Sequence, residues 1–383
     1  MPPGACRAVI VRRRRPRPGR NRMSDSASQS PSSDQPFDLR PLLDYPQRES
    51  VLAAAAQRSG AVDANERSPF ETLRELGEQG LLDLGLEGSI AQQAAVVHDL
   101  ATECTATAFS LWAHRSSIEY LAATGHEIPR GMRDGTEPAS SAMAPAFKAA
   151  AGIGEITVSL TEQDGRLVLD GTIPWASNLY PEGWIVLPAL RTDDDGSATP
   201  VIVLTRDQTP GVSVKPLQDL MALDATASGI LRFESSPIEA QDVLSEDVPG
   251  FLAAVRGPFL LLQSSFCLGL AGAALASAGA AMTGAAEVFR PERDEVVTEF
   301  ERVRAAVLRM ADSPREQSAQ DLLQTRLDAA LLTGAATRLE GKTVGGKGYA
   351  MSSPTARRAR EAGFLPVQSP TESHLRWELR KLG

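Results

Sequence analysis

The residues best equipped for chemistry fall in one short stretch, Gly171-Thr172-Ile173-Pro174-Trp175-Ala176-Ser177-Asn178. An alternating apolar run (Ile156, Val158, Leu160) leads to a turn at Gln163-Asp164-Gly165, and a second apolar run follows. This pattern predicts two strands, the second broken at Gly171. Side chains alternate on an extended chain, so Trp175 and Ser177 point to one side. An indole plane beside a short hydroxyl suits a planar heterocycle. The ring packs on its face while the hydroxyl bonds an edge nitrogen. A core tryptophan with a strand-end serine fits the same residues equally well.

The stretch resembles the Gly-Lys-x-Trp-Ile-Thr/Ser-Asn segment of the flavin-dependent acyl-CoA dehydrogenases and their monooxygenase relatives, although the usual Lys is replaced here. Further matches follow in order: Leu76-Gly77-Glu78-Gln79-Gly80-Leu81, Ser110-Leu111-Trp112-Ala113-His114, Ala225-Thr226-Ala227-Ser228 with Phe233, Pro237 and Val243-Leu244, Gly345-Gly346-Lys347-Gly348-Tyr349, and Arg357-Arg358-Ala359-Arg360-Glu361-Ala362. A shortened form of the family's acidic, Gly-rich loop is read at Leu84-Gly85-Leu86-Glu87-Gly88-Ser89. The resemblance implies that Trp175, Ser177 and Asn178 bind a flavin, with the hydroxyl near N5. It adds Gly345 and Gly346, a turn that in the family contacts a neighbour's cofactor. It also adds Met143, in Ser141-Ala142-Met143-Ala144-Pro145, where the family's Thr-Glu-Pro strand reaches the flavin edge and only the Pro is retained.

What the resemblance implies for the whole is an α+β, mainly α fold: an N-terminal helical domain, a small middle β-barrel domain and a C-terminal helical bundle. The expected cofactor is FAD, with FMN as the alternative. The expected partners are a small-molecule substrate such as an acyl-CoA, an electron acceptor or flavin reductase, and further copies of the chain in a homodimer or homotetramer. A cytoplasmic location is expected.

The chemistry departs from the family pattern at one position. The family's Ile-Tyr-Glu-Gly-Thr segment carries a carboxylate base, and the matching stretch is Val367-Gln368-Ser369-Pro370-Thr371, with Ser369 in place of Glu. A neutral hydroxyl does not abstract an α-proton without an activator. The alternative position, Gly257-Pro258-Phe259-Leu260, holds no acid. The family's Arg-x-x-Phe-Gly…Gln segment is also missing, and Arg290 or Gln263 stand as replacements. The remaining acid–base candidates are His114 and His374, because imidazole titrates in the useful range. In the related monooxygenases histidines at such places face the oxygen side of the flavin; ordinary structural histidines are the competing reading. Three functions follow: oxidoreduction at CH–CH bonds of an acyl-CoA-like substrate, reduced-flavin-dependent monooxygenation, or a degenerate, non-catalytic flavin fold.

The elements that must position these residues are read from composition and period. Of 383 residues 42% are hydrophobic and only 5% aromatic, with abundant Ala, which favours helices. A net charge of −9 argues against a nucleic-acid partner. Cys6, Cys104 and Cys267 fit neither a disulfide framework nor a metal site. The apolar run 251–282 is too diluted by Arg256, Gln263 and several Ser and Gly to span a membrane. Four segments result: a basic and Ser-rich tail (1–36), helices (37–135), strands (136–247) and helices again (248–383). Residues 1–22 hold eight Arg and no acid, and read as sequence ahead of a true start at Met23 or as a basic tail. Disorder is expected over 24–36. One long apolar helix is expected over His98–Leu121, and strands over Ile156–Leu160, Leu167–Leu169, Trp184–Leu190, Val201–Leu204, Val212–Val214 and Gly229–Phe233. Small residues at Gly269-Leu270-Ala271-Gly272 predict close helix packing.

Overall fold

The computed structural model describes residues 44–86, 88–192 and 196–383. The expectations for residues 1–36, for Glu87 in the 84–89 loop and for the breaker at 193–195 lie outside them. Five helices come first: α1 (Arg48–Asp63), α2 (Phe70–Glu78), α3 (Ala91–Glu103), α4 (Thr105–Ala123) and the single turn α5 (Arg130–Arg133). Thus α3 and α4 replace the one helix expected over His98–Leu121. Cys104 is extended there, at φ −155° and ψ 103°. Glu103 O accepts from Arg357 Nη2 at 2.6 Å. A donor from a distant helix serves the backbone at this break, which no Gly or Pro announces.

The middle of the chain forms one sheet of β1 (Ala139–Ser141), β2 (Val158–Gln163), β3 (Arg166–Ala176), β4 (Trp184–Thr192), β5 (Ala198–Arg206), β6 (Val212–Pro216), β7 (Gly229–Ile238) and β8 (Val243–Ser245), with α6 (Ala144–Ala150) inserted after β1. The strand order is β6-β7-β3-β2-β4-β5-β8, and β1 pairs with β4. Inward residues of opposite parts of the sheet, among them Leu160, Ile173, Leu187, Val203 and Phe233, share one apolar core, so the sheet curls over itself. The outward Val186 and Ile202 join the helical core instead, which is the alternation expected of strands covered on both faces.

Gly171 does not break β3, contrary to the expectation. The strand continues to Ala176, and its register against β7 shifts between Leu169 and Gly171 and again between Ile173 and Ala176. These are bulges, which re-aim side chains without ending a strand. At φ 138° a Cβ on residue 171 would collide with Thr157 O, so the close approach of β2 requires glycine. The second bulge is the one that presents Trp175.

The C-terminal helices are α7 (Val248–Ala280), α8 (Arg290–Ala311), α9 (Ala319–Val344), α10 (Pro354–Phe364) and α11 (Glu372–Leu382). Their starts are encoded locally. Asp247, Ser318, Ser353 and Thr371 each accept a backbone N–H of the first turn, each such cap contributing about 1 kcal/mol. Among the described residues α7 is long and apolar enough to cross a membrane, but 89% of its most apolar window is buried inside the molecule. It packs against α3, α4 and α9. The small residues do what their spacing predicts: a Cβ on Gly269 would collide with His98 O, so α7 and α3 meet almost backbone to backbone.

Candidate functional site

A cavity of about 360 Å³ opens where the curled sheet meets α4 and the α10–α11 connection. Helix α4 presents Phe109, Trp112 and Ala113, which share one helix face. The β1–α6 segment adds Ser141, Ala144 and Lys148, and the end of β3 adds Trp175, Ala176 and Ser177. Met221, Leu223, Thr226 and Ser228 come from the loop before β7. Phe364, Val367, Gln368, Ser369 and Thr371 close the far side.

One wall is a rigid aromatic cluster. Ring centroids lie 5.2 Å apart for Phe109 and Trp112, 5.0 Å for Trp112 and Phe259, and 5.4 Å for Phe109 and Phe364. Trp112 Nε1 donates to Phe259 O at 3.1 Å, which fixes its indole. The opposing indole, Trp175, is 47% exposed and free to take a ring against its face.

Beside it runs a chain of hydroxyls. Ser177 Oγ lies 2.7 Å from Ser228 Oγ, which lies 3.2 Å from Thr226 Oγ1. Thr226 donates its one proton to Leu223 O at 2.8 Å. Ser228 must then donate to Thr226, and Ser177 to Ser228. With its proton committed inward, Ser177 Oγ faces the cavity as an acceptor.

Of the expected site residues, Trp175, Ser177 and Ser369 come together in this cavity; the others do not line it. Asn178 is buried, left-handed at φ 62°, and donates Nδ2 to Ser110 O at 2.7 Å and Ala139 O at 3.3 Å. Its amide pins the end of β3 to α4 and β1. Met143 is buried in the helical core between cavity neighbours Ser141 and Ala144. Gly345 and Gly346 form an exposed turn after α9.

Both histidines belong to the packing of the chain. His114 is fully buried, with Nε2 2.8 Å from Met132 O, and Ala139 N–H donates to Nδ1 at 3.1 Å. The acceptor role of Nδ1 puts the ring proton on Nε2. Burial, helped by neighbouring Arg115, pulls this imidazole down to about 4. His374 is buried on α11 with Nε2 2.9 Å from Glu378 Oε1, a contact of ion-pair distance that lacks hydrogen-bond alignment. Neither ring reaches the cavity, because the faces of α4 and α11 that carry them turn into the core.

Electrostatically the cavity is bare. Among the described residues Lys148 is its sole ionisable lining side chain, and no carboxylate or imidazole borders it. Tyr120 bonds Ser141 Oγ at 2.9 Å, and burial pushes its phenol well above the ordinary range, so it stays neutral. Behind Ser369 lies a polar group that the sequence did not reveal. Gln263 Nε2 donates to Ser369 O at 2.9 Å, and Gln263 Oε1 accepts from Arg326 Nε at 2.9 Å. Arg326 Nη2 also donates to Gln368 Oε1 at 2.9 Å. Gln263 is therefore a buried support of the site. Arg290, the other replacement considered, is exposed and lies 3.7 Å from Glu287.

No protein-family model matches the sequence. Over 208 residues the chain is 23% identical to the acryloyl-CoA reductase (NADH) of Anaerotignum propionicum, an alignment taking in 51% of the chain and 53% of that relative. The chain thus matches about half the length of this curated relative. Butyryl-CoA dehydrogenase from Megasphaera elsdenii superposes with a TM-score of 0.77 at 18% identity, covering 89% of this chain and 99% of that one. Nitrososynthase from Micromonospora carbonacea var. africana gives 0.72 at 18% identity, covering 91% and 99%. KijD3 in complex with FMN and dTDP-3-amino-2,3,6-trideoxy-4-keto-3-methyl-D-glucose gives 0.72 at 19% identity, covering 90% and 95%. The chain has the fold of the acyl-CoA dehydrogenases and of these related flavin enzymes.

Proposed function

We propose that this chain is a flavin-dependent oxidoreductase that works without a carboxylate or imidazole base among the described residues lining its cavity. The observation that carries the reading is the pairing of an open indole face, Trp175, with an acceptor hydroxyl, Ser177, at the mouth of an apolar cavity. These residues fit a flavin ring: Trp175 would cover its plane, the wall of Phe109, Trp112 and Leu223 would exclude water, and Ser177 Oγ would accept from a protonated ring nitrogen. A bound flavin supplies the redox chemistry, and the protein supplies orientation and electrostatics. Both FAD and FMN are compatible with these contacts.

The same lining favours reaction of reduced flavin with oxygen over dehydrogenation of an acyl-CoA. Proton abstraction α to a thioester needs a base within hydrogen-bond reach, and Ser369 provides only an unactivated hydroxyl. An acceptor at Ser177 likewise suits the protonated N5 of a reduced ring. The second reading, chemistry at a CH–CH bond of an acyl-CoA, draws on the sequence match to an acryloyl-CoA reductase. We also take the active form to be a homodimer or homotetramer.

The test is direct. The purified protein is examined for bound flavin by absorbance, and the flavin is identified after release. Trp175→Ala, at a half-exposed position whose change spares the core, is expected to lower flavin occupancy at least tenfold. Unchanged occupancy and an unchanged spectrum in that variant would refute the placement of the flavin.

A further inference from the structure

Arg326 is 0% exposed and sits on α9 without an acid. Its guanidinium meets two neutral amides, Gln263 and Gln368, and its Nη1 has no partner. Among the described residues no carboxylate forms an ion pair with it. Cys267, the nearby thiol, is held neutral by burial even though Arg326 pulls the other way. A buried cation lacking a counter-ion is among the least favourable arrangements in a protein interior.

The geometry of the two amides shows where its charge is directed. Arginine only donates, so Oε1 of each glutamine must face it and each Nε2 must face away. Gln263 spends its Nε2 on Ser369 O. Gln368 is 3% exposed, lines the cavity, and leaves its Nε2 with no partner. Ser369 Oγ, next to it in the cavity wall, is also without a partner. Two buried, unpaired groups therefore belong to adjacent residues of the cavity lining, the amide donor polarised from behind by a guanidinium.

We propose that Arg326, Gln368 and Ser369 form a subsite for an anionic oxygen of the substrate, a carboxylate or a phenolate. Such an oxygen would accept from Gln368 Nε2 and Ser369 Oγ and supply the counter-charge that Arg326 lacks. Arg326 acts through Gln368 and is a positioning residue. The inference deepens the proposed function by naming the substrate class, and rests on that reading for the oxidoreductase role alone.

The test is calorimetric binding, at pH 8, of benzoate, 4-nitrophenolate and neutral benzamide to the protein as purified. At least one of the two anions is expected to bind at least tenfold tighter than benzamide, and which one does so distinguishes carboxylate from phenolate. Arg326→Met is expected to bring the anions within twofold of benzamide, whereas Lys148→Met keeps most of the preference. Gln368→Glu supplies the missing counter-charge internally; it is expected to raise Tm and abolish the preference, and it carries the test should Arg326→Met not fold. No preference in the wild type, or a preference that survives Gln368→Glu, would overturn the proposal. Flavin absorbance in the same samples separates the readings. A colourless protein that prefers anions contradicts the flavin assignment alone. A yellow protein with no preference contradicts the subsite alone.

Discussion

His114→Gln separates a structural histidine from a catalytic one, and its size follows from the structure. The imidazole is fully buried and pulled down to about 4, against about 6.5 for a free side chain. Between those values the unfolded chain binds a proton that the folded chain refuses. The stability contributed by the neutral ring is therefore complete above pH 6.5 and is lost as pH falls toward 4. Each pH step below 6.5 removes about 1.4 kcal/mol, so the full loss is roughly 3 kcal/mol, a large fraction of the 5–15 kcal/mol that holds a typical domain together. Glutamine keeps a donor and an acceptor but does not titrate. Urea unfolding followed by circular dichroism at pH 4, 5, 6 and 7.5 is expected to show the gap between wild type and variant narrowing by about 3 kcal/mol over that range. The folded variant is expected to keep its flavin affinity. A gap independent of pH, or a folded variant that loses turnover at unchanged stability, would refute the structural role.

Glu361 predicts the opposite slope. Burial raises its carboxyl to about 7, although Arg357 and Thr105 oppose this. The stability it contributes is present below about 4.5 and lost as pH rises toward 7, so Glu361→Gln is expected to gain stability relative to wild type at pH 8 and not at pH 4, read by the same denaturant titration. The exposed turn after α9 bears on assembly. Tyr349 is 90% and Met351 69% exposed beside Gly345 and Gly346, an apolar patch that predicts self-association. Light scattering is expected to give a dimer or tetramer mass that Tyr349→Asp lowers; a monomer mass for the wild type would contradict this.

The predominance of helix on both sides of the sheet was legible in the sequence from its Ala-rich, low-aromatic composition. So were six of the eight described strands, as short apolar runs set off by turn residues; the three-residue β1 and β8 were not. The break at Cys104 was not legible, because Arg357, 253 residues away, supplies the backbone partner there. Gly171 misled in a different way: a glycine that ends a strand and one that admits a neighbouring strand look alike without the partner's backbone. Trp175, Ser177 and Ser369 could be picked out by residue type and order. Residue type favoured His114 and His374, and the resemblance added Asn178 and Met143, but which face a helix or strand end turns inward depends on tertiary packing. Arg326 carried no local signal at all; it stands out only once its lack of an acid is visible.

The central claim is that the cavity holds a flavin beside a position, Ser369, that provides no base. Wild-type protein loaded with flavin is mixed anaerobically with a panel of saturated acyl-CoAs, and the flavin absorbance is followed. No bleaching is expected on the turnover timescale in the wild type, and slow bleaching in Ser369→Glu, where a carboxylate replaces the hydroxyl. Rapid bleaching of the wild type would contradict the claim, because a carboxylate or imidazole base would then be present that the described lining does not contain.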